Sequence, residues 1–352
     1  MNLINEGKSA SNGNYRFLKD KKFVRKVASI SPFPLGMIEL DLRRVEDKLV
    51  GLIEQRGGAL KGPAEVMFRN GGKRLRPALV LLSSRLLSES PESALQIAAA
   101  VEMVHGASLI HDDVIDTTDQ RRGRPTLNAL TGNRVAVLLG DFLLCQSLMA
   151  VAELDRVVLI QVVSKAVADM TTGQILELRQ QGNFETSIED YLNVVEGKTA
   201  ALMEACCRLG ALLSSASAVQ IQAVSDFGRH LGMAFQITDD ILDLWGSAEA
   251  LGKPVGSDLK DRKYTLPFLY AYQASDESTR VGIQRLLNEP DPANLDIPQL
   301  TEWMESKNAR ELSEELAYHH IEQAKVQLDL FPASPARDAL AGLLDYIVAR
   351  QS

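Results

Sequence analysis

Two short stretches carry the chemistry that this sequence can do. "LIHDDVIDTTDQRRGRPT" (109–126) sets Asp112, Asp113 and Asp116 at i, i+1 and i+4, and "FQITDDILDLWG" repeats the spacing with Asp239, Asp240 and Asp243. On a helix, i and i+4 share a face and i+1 lies about 100° round, so each triplet turns its carboxylates to one side of a helix end. Each follows an apolar run, Val101–Ile110 and Phe227–Ile237, and not a charged face. A single copy reads as a solvated helix face. With two copies, six inward carboxylates would repel one another unless cations lay between them. Oxygen donors without a Cys or His constellation favour a hard ion. Mg²⁺ fits, because it pairs a few carboxylates with substrate phosphates.

Cations answer the carboxylates along the chain. "GGKRLRP" brings Lys73 and Arg76 to one helical face beside Gly72, whose backbone a ligand can approach. Arg121 and Arg122 follow the first aspartate motif, and arginine's planar fork suits phosphate oxygens. "EGKTA" sets Lys198 beside Thr199, and "LGKPVGSDLKDRKYTLP" supplies Lys253, Lys260, Arg262 and Lys263. Taken singly, each has a plain structural alternative: a solvated loop, a snorkelling lysine, a partner for a neighbouring carboxylate. His105, on an apolar helix, is by itself a satisfied core histidine. Together they describe a diphosphate pocket, with more basic groups than one diphosphate uses.

The elements that position these groups are helices. From Met37 onward, apolar residues recur at three- and four-residue steps: Met37–Gln55, Pro63–Leu87, Pro91–Asp116, Asn133–Leu154, Arg156–Gln181, Ser187–Leu213, Ala218–Trp245 and a weaker set over Tyr264–Val348. Ser90 and Pro91 read as an N-cap and first helical position. Alternating strand patterns are absent, and Pro and Gly gather between the helices. One large all-α domain over 37–352 is expected, with no linker dividing it. Many helices are apolar round much of their circumference, as in the inner helices of a bundle or at an oligomer interface.

Bulk composition narrows the class. With 352 residues, 45% hydrophobic, 24% charged and a net charge of −8, the chain is expected to be globular, and nothing global points to nucleic acid. Cys145, Cys206 and Cys207 suit neither a disulfide framework nor metal spacing, so a reducing, cytoplasmic setting is expected. No apolar run is expected to reach the length of a membrane span; "VAVLLGDFLLCQSLMAVAEL" is interrupted by Asp141 and reads as a buried helix. Residues 1–36 hold seven Lys or Arg against Glu6 and Asp20 and read as a flexible basic extension. The alternatives are a transit peptide or a weak tether to anionic membrane.

The motifs "GGKRLRP", "VEMVHGASLIHDDVID", "RRGRPT", "GKTA", "FQITDDILD" and "GKPVGSDLKDRKYTLP" resemble those of the trans-isoprenyl diphosphate synthases, in that family's order and from about Met37 to the C-terminus. The resemblance implies an all-α homodimer with a bundle around a central cavity. It implies condensation of isopentenyl diphosphate with an allylic diphosphate, with Mg²⁺, three ions per active site, held by the six aspartates, Asp243 less directly. Arg121, Lys198, Lys253 and Lys263 would contact the allylic diphosphate. Lys73, Arg76, His105, Arg122 and the Gly72 backbone would hold isopentenyl diphosphate. Thr199 and Gln236 would lie near the cationic carbon, and Gln174 near the metal site. Peripheral contact with a membrane would accompany release of a long apolar product.

Ala107 and Ser108 stand five and four residues ahead of Asp112, on the order of 6–7 Å down the helix. Val104, Met103, Val101 and Ala100 follow further down. None is aromatic, and a tail growing along this helix would pass them. Within the family, small residues here resemble those of medium- and long-chain synthases, which favours an octaprenyl or solanesyl product. Geranylgeranyl or farnesyl diphosphate is the alternative, with a floor from the facing helix, at Phe142 or Met149. A terpene cyclase or a non-catalytic synthase subunit fits less well, since both aspartate motifs and "GGKRLRP" are present.

Overall fold

The computed structural model describes residues 36–349 apart from 57–73, 88–90, 122, 247–254 and 292–293. The basic extension, Gly72, Lys73, Ser90, Arg122 and Lys253 therefore lie outside the described residues, except for Gly36 at the extension's end.

Helices dominate, as the periodicity predicts. In chain order they are α1 (Glu39–Arg56), α2 (Leu75–Leu87), α3 (Pro91–Ile115), α4 (Leu127–Thr131), α5 (Asn133–Ala152), α6 (Val157–Gln180), α7 (Ile188–Val195), α8 (Ala201–Leu212), α9 (Ala218–Trp245) and α10 (Ser257–Lys260). The weaker C-terminal set resolves into α11 (Leu266–Gln273), α12 (Glu277–Leu287), α13 (Ile297–Ser306), α14 (Ala309–Leu328) and α15 (Pro335–Ala349). The helix expected over Ser187–Leu213 is not regular. A π-helical turn, Glu196–Ala200, separates α7 from α8. Such turns widen the helix by one residue and are frequent at functional sites. The one strand pair among the described residues is Gln120–Arg121 against Arg124–Pro125, at "QRRGRP".

Local sequence explains where the long helices begin. Ser187 and Ser217 each accept a hydrogen bond from the backbone three residues on, and Asp190 and Gln220 return it, two capping boxes that start α7 and α9. α9 packs against α8 and α14, α3 against α5, and α2 against both α3 and α8. One core cluster joins α1, α2, α3, α5, α6, α8, the first half of α9 and α15; a second lies under the far half of α9, around Phe268, Leu266 and Ile241. The aspartate motifs occupy the C-terminal ends of α3 and α9. These are the negative ends of helix dipoles, where carboxylates are disfavoured unless cations attend them.

Two helices prove long and apolar enough to cross a membrane by length and composition, contrary to expectation: Glu92–Ile115 and Asn133–Ala152. The first has 72% of its most apolar window buried in the protein, so core packing accounts for it. The second has only 44% buried and leaves Val135, Val137, Leu138, Leu148 and Met149 exposed on α5.

A histidine pair ties α9 to α14. His230 Nδ1 and His320 Nδ1 lie 2.9 Å apart, and Arg229 Nη2 is 3.2 Å from His230 Nε2. A guanidinium only donates, so His230 Nε2 accepts, its proton sits on Nδ1, and His320 Nδ1 accepts in turn. Burial holds the protonated forms down, to about 4 for His230 and about 3 for His320; Arg229 and His319 add to this, and Asp226 opposes it at His230. Unfolded, both titrate near 6.5. From about pH 6.5 down to 4 the unfolded chain binds more protons, so stability falls with pH in that window. His320→Gln, which keeps an acceptor, should show a smaller drop in Tm between pH 7 and pH 5 than the parent chain. Equal drops would refute the assignment.

Candidate active site

The end of α3 is built by a tight return. The chain leaves the helix through Thr117, in the left-handed region at φ 51°, and Thr118 N–H donates to the Asp113 carbonyl at 2.9 Å. Thr126 Oγ1 and Asn128 Nδ2 both donate to the Thr118 carbonyl, at 2.7 and 3.1 Å, and fix the loop. The short hairpin then brings Arg121 back onto the helix, where Nε lies 2.9 Å and Nη2 2.8 Å from Asp113 Oδ1. Asp113 is buried and accepts this fork; Asp112 is half-buried and Asp116 lies at the exposed end. Burial raises the Asp112 carboxyl, Lys198 opposes it, and Asp116 and Glu177 add to the rise. Burial also raises Asp113, with the Arg121 hydrogen bond opposing.

The second motif is divided in the same way. Asp240 accepts from Tyr191 Oη at 2.5 Å on one oxygen and from Gln236 Nε2 at 2.8 Å on the other. Asp243 is 1% exposed and accepts from Ser257 Oγ (2.6 Å) and the Asp258 N–H (3.1 Å), which anchors the start of α10. Asp239 is the half-buried member. The resemblance implies that all six carboxylates hold metal, Asp243 less directly, and the structure gives them unequal surroundings. Asp113, Asp240 and Asp243 are buried and accept from protein donors, whereas Asp112, Asp116 and Asp239 are the less buried members, Asp116 facing Lys263. For Asp113 and Asp240 the reason is steric, since i+1 points about 100° away from i, toward the neighbouring elements; Asp243, at i+4, is covered instead by the start of α10.

The cations assemble around them. Lys263 Nζ is 3.2 Å from Asp116 Oδ2 and 3.7 Å from Glu177 Oε2, which links the loop after the second motif to the first motif. Its burial would lower the ammonium pKa, but Glu177 and Asp116 outweigh that and the net shift is upward. Lys198, on the π-helical turn, reaches Glu177 Oε2 at 2.6 Å. Its neighbour Thr199 Oγ1 donates to Gln236 Oε1 at 2.8 Å, so Thr199, Gln236, Asp240 and Tyr191 form one buried chain of hydrogen bonds. Gln174 Nε2 also points to Glu177, at 3.4 Å, while its buried Oε1 accepts nothing among the described residues. α6 reaches this turn because Gly173 has no side chain. A Cβ there would lie 2.5 Å from Lys198 N and 2.9 Å from Gly197 C.

Arg76 stands at the start of α2, behind this group. Its Nε is buried without a partner among the described residues, and burial lowers the guanidinium despite Glu102, Cys206 and Asp239. Beside it, Arg74, at φ 47°, donates to the buried Glu102 at 2.7 Å and to Glu46 at 3.0 Å. Glu102 is three residues before His105 on one face of α3, so the Arg76 and His105 regions adjoin. Four residues that sequence reasoning passed over thus belong to the site's frame: Glu177, Tyr191, Arg74 and Glu102. Glu177 was legible, being three residues from Gln174 on one helical face. Tyr191 was not, since nothing local ties it to Asp240.

Among the described residues no three His, Cys, Asp or Glu side chains converge to cage a metal unaided. The donors present are hard oxygens in ones and twos, which fits Mg²⁺ shared with a phosphate ligand. Asp112, Asp116 and Asp239 would hold it, and when bound it supplies Lewis-acid stabilisation of a departing diphosphate. Two unit charges 4 Å apart interact by about 4 kcal/mol at an effective dielectric of 20. Ligand and carboxylates therefore need both the metal and the lysines.

The polyprenyl synthetase family matches residues 58–304, which include both aspartate motifs. The chain belongs to this family. It is 39% identical over 88% of its length to the heptaprenyl diphosphate synthase component 2 of Geobacillus stearothermophilus, covering 96% of that protein. It is 35% identical to the nonaprenyl diphosphate synthase of Mycobacterium tuberculosis, over 89% of this chain and 93% of that one. The crystal structure of a decaprenyl diphosphate synthase from Rhodobacter capsulatus superposes with a TM-score of 0.86 at 33% identity, covering 91% of this chain and 98% of that one. As a polyprenyl synthetase the chain is a trans-prenyltransferase, which joins isopentenyl diphosphate to an allylic diphosphate with Mg²⁺. Thr199 and the partly buried Gln236 would offer dipoles to an allylic cation, the role the resemblance implies for them.

Proposed function

We propose that this synthase makes a long all-trans polyprenyl diphosphate, of the octaprenyl or solanesyl class. One observation carries the reading: the face of α3 below Asp112 is small and aliphatic. Ser108 lies one turn down, half-buried, and Val104 and Val101 continue the wall. None of these α3 residues is aromatic. Met149, a candidate floor on α5, is 43% exposed and lies on the outer surface, so only Phe142 of the two remains partly buried.

The reading includes three Mg²⁺ per site, the allylic diphosphate held by Arg121, Lys198, Lys253 and Lys263, and isopentenyl diphosphate held by Lys73, Arg76, His105 and Arg122. It also includes a homodimer formed through the exposed apolar face of α5, continued by Ile175 and Leu178 on α6. The setting is cytoplasmic, with peripheral membrane contact as the apolar product leaves. Labelled isopentenyl diphosphate, Mg²⁺ and geranyl, farnesyl or geranylgeranyl diphosphate, followed by product sizing, test it on the chain alone. A ladder ending in the octaprenyl–solanesyl range is expected. Termination at geranylgeranyl would overturn the length, and no product without a second subunit would overturn the homodimer.

A further inference from the structure

Lys198 and Lys263 come from different elements, the π-helical turn and the loop after α10, yet both meet one oxygen. Glu177 Oε2 is 2.6 Å from Lys198 Nζ and 3.7 Å from Lys263 Nζ, and the Gln174 amide lies 3.4 Å from it. The Glu177 side chain keeps 21% of its surface exposed. Its charge is felt at Asp112. The close approach of Gly173 to Gly197, one turn earlier on α6, sets the carboxylate at this place. An ammonium has three donors and one charge. A diphosphate that takes both lysines must draw Lys198 from Glu177, and Lys263 from Asp116 and Glu177, and then sit beside the Glu177 carboxylate.

We propose that Glu177 is a built-in competitor of the allylic diphosphate: it holds Lys198 and Lys263 in position as an internal counter-anion, weakens anion capture, and takes the lysines back as pyrophosphate leaves. The inference rests on the proposed assignment of these lysines to the allylic diphosphate. It makes Glu177 a positioning residue whose charge acts against ligand affinity, the opposite of a residue that only supports the fold.

Calorimetric titration of the full chain with magnesium-free inorganic pyrophosphate tests it. Glu177→Gln and Glu177→Ala should bind about tenfold more tightly than the parent chain, the scale of one like charge removed from a partly exposed site. Glu177→Asp, which keeps the charge, should stay within about twofold of the parent. Lys198→Ala and Lys263→Ala should bind more weakly. Unchanged or weaker binding in both neutral variants, with the lysine effects intact, would overturn the inference alone. Thermal melts showing that both neutral variants lose the fold would assign Glu177 a structural role and overturn it as well. Pyrophosphate affinity indifferent to Lys198 and Lys263 would overturn the assignment of the lysines and the inference with it.

Discussion

Asp112→Ala and Asp239→Ala should each lower kcat/KM for Mg²⁺-dependent condensation by about a thousandfold or more, ~4 kcal/mol of transition-state stabilisation. Both carboxylates are half-buried at the ends of α3 and α9, one in each aspartate motif. Their melting temperatures should stay near that of the parent chain, because relieving like-charge repulsion offsets the lost contacts. Asp243→Ala should behave differently. Ser257 Oγ and the Asp258 N–H would lose their acceptor, at about 1–3 kcal/mol for a buried donor left unmatched. That variant should melt lower as well as turn over more slowly. Steady-state assays with labelled isopentenyl diphosphate and parallel melts separate the two behaviours. Near-normal turnover in Asp112→Ala or Asp239→Ala would sink the metal assignment.

Ser108→Phe should shorten the product while largely sparing turnover. Ser108 is four residues before Asp112, on its face of α3, and its hydroxyl only returns to the His105 carbonyl at 2.9 Å. A ring there would meet a growing tail one turn below the reacting carbon. Ala107→Phe tests the neighbouring position and should cost more. Ala107 has no exposed surface, and it shares its face of α3 with His111, whose Nε2 lies 3.2 Å from the Val137 carbonyl on α5. A phenyl group in that packed seam would overpack it by about 1–3 kcal/mol. Product sizing by chromatography decides: an unchanged length in Ser108→Phe would remove this face of α3 as the gate.

Much of the site was legible because its parts repeat or cluster in sequence. The two DDxxD triplets, "GGKRLRP" and "EGKTA" all announce charge beside apolar runs, and the structure gathers Asp112, Asp116, Lys198, Lys263, Thr199 and Gln236 in one site. The helical class followed from periodicity that the core clusters bear out. The α5 face was less legible, because an apolar stripe reads alike whether it faces a core, a second chain or a membrane.

The residues alone therefore determined the all-α class, the carboxylate–cation chemistry and the small-residue wall ahead of Asp112, since each rests on types and spacings along one helix. Only the tertiary structure decided which protein donors each carboxylate meets. That choice depends on donors far away in the chain: Tyr191 takes one oxygen of Asp240 across 49 residues, and Lys263 reaches Asp116 across 147. A hydrogen bond has a range of about 3 Å and ignores sequence distance. No local pattern could have shown that Glu177 stands between the two lysines, because its partners arrive on separate elements.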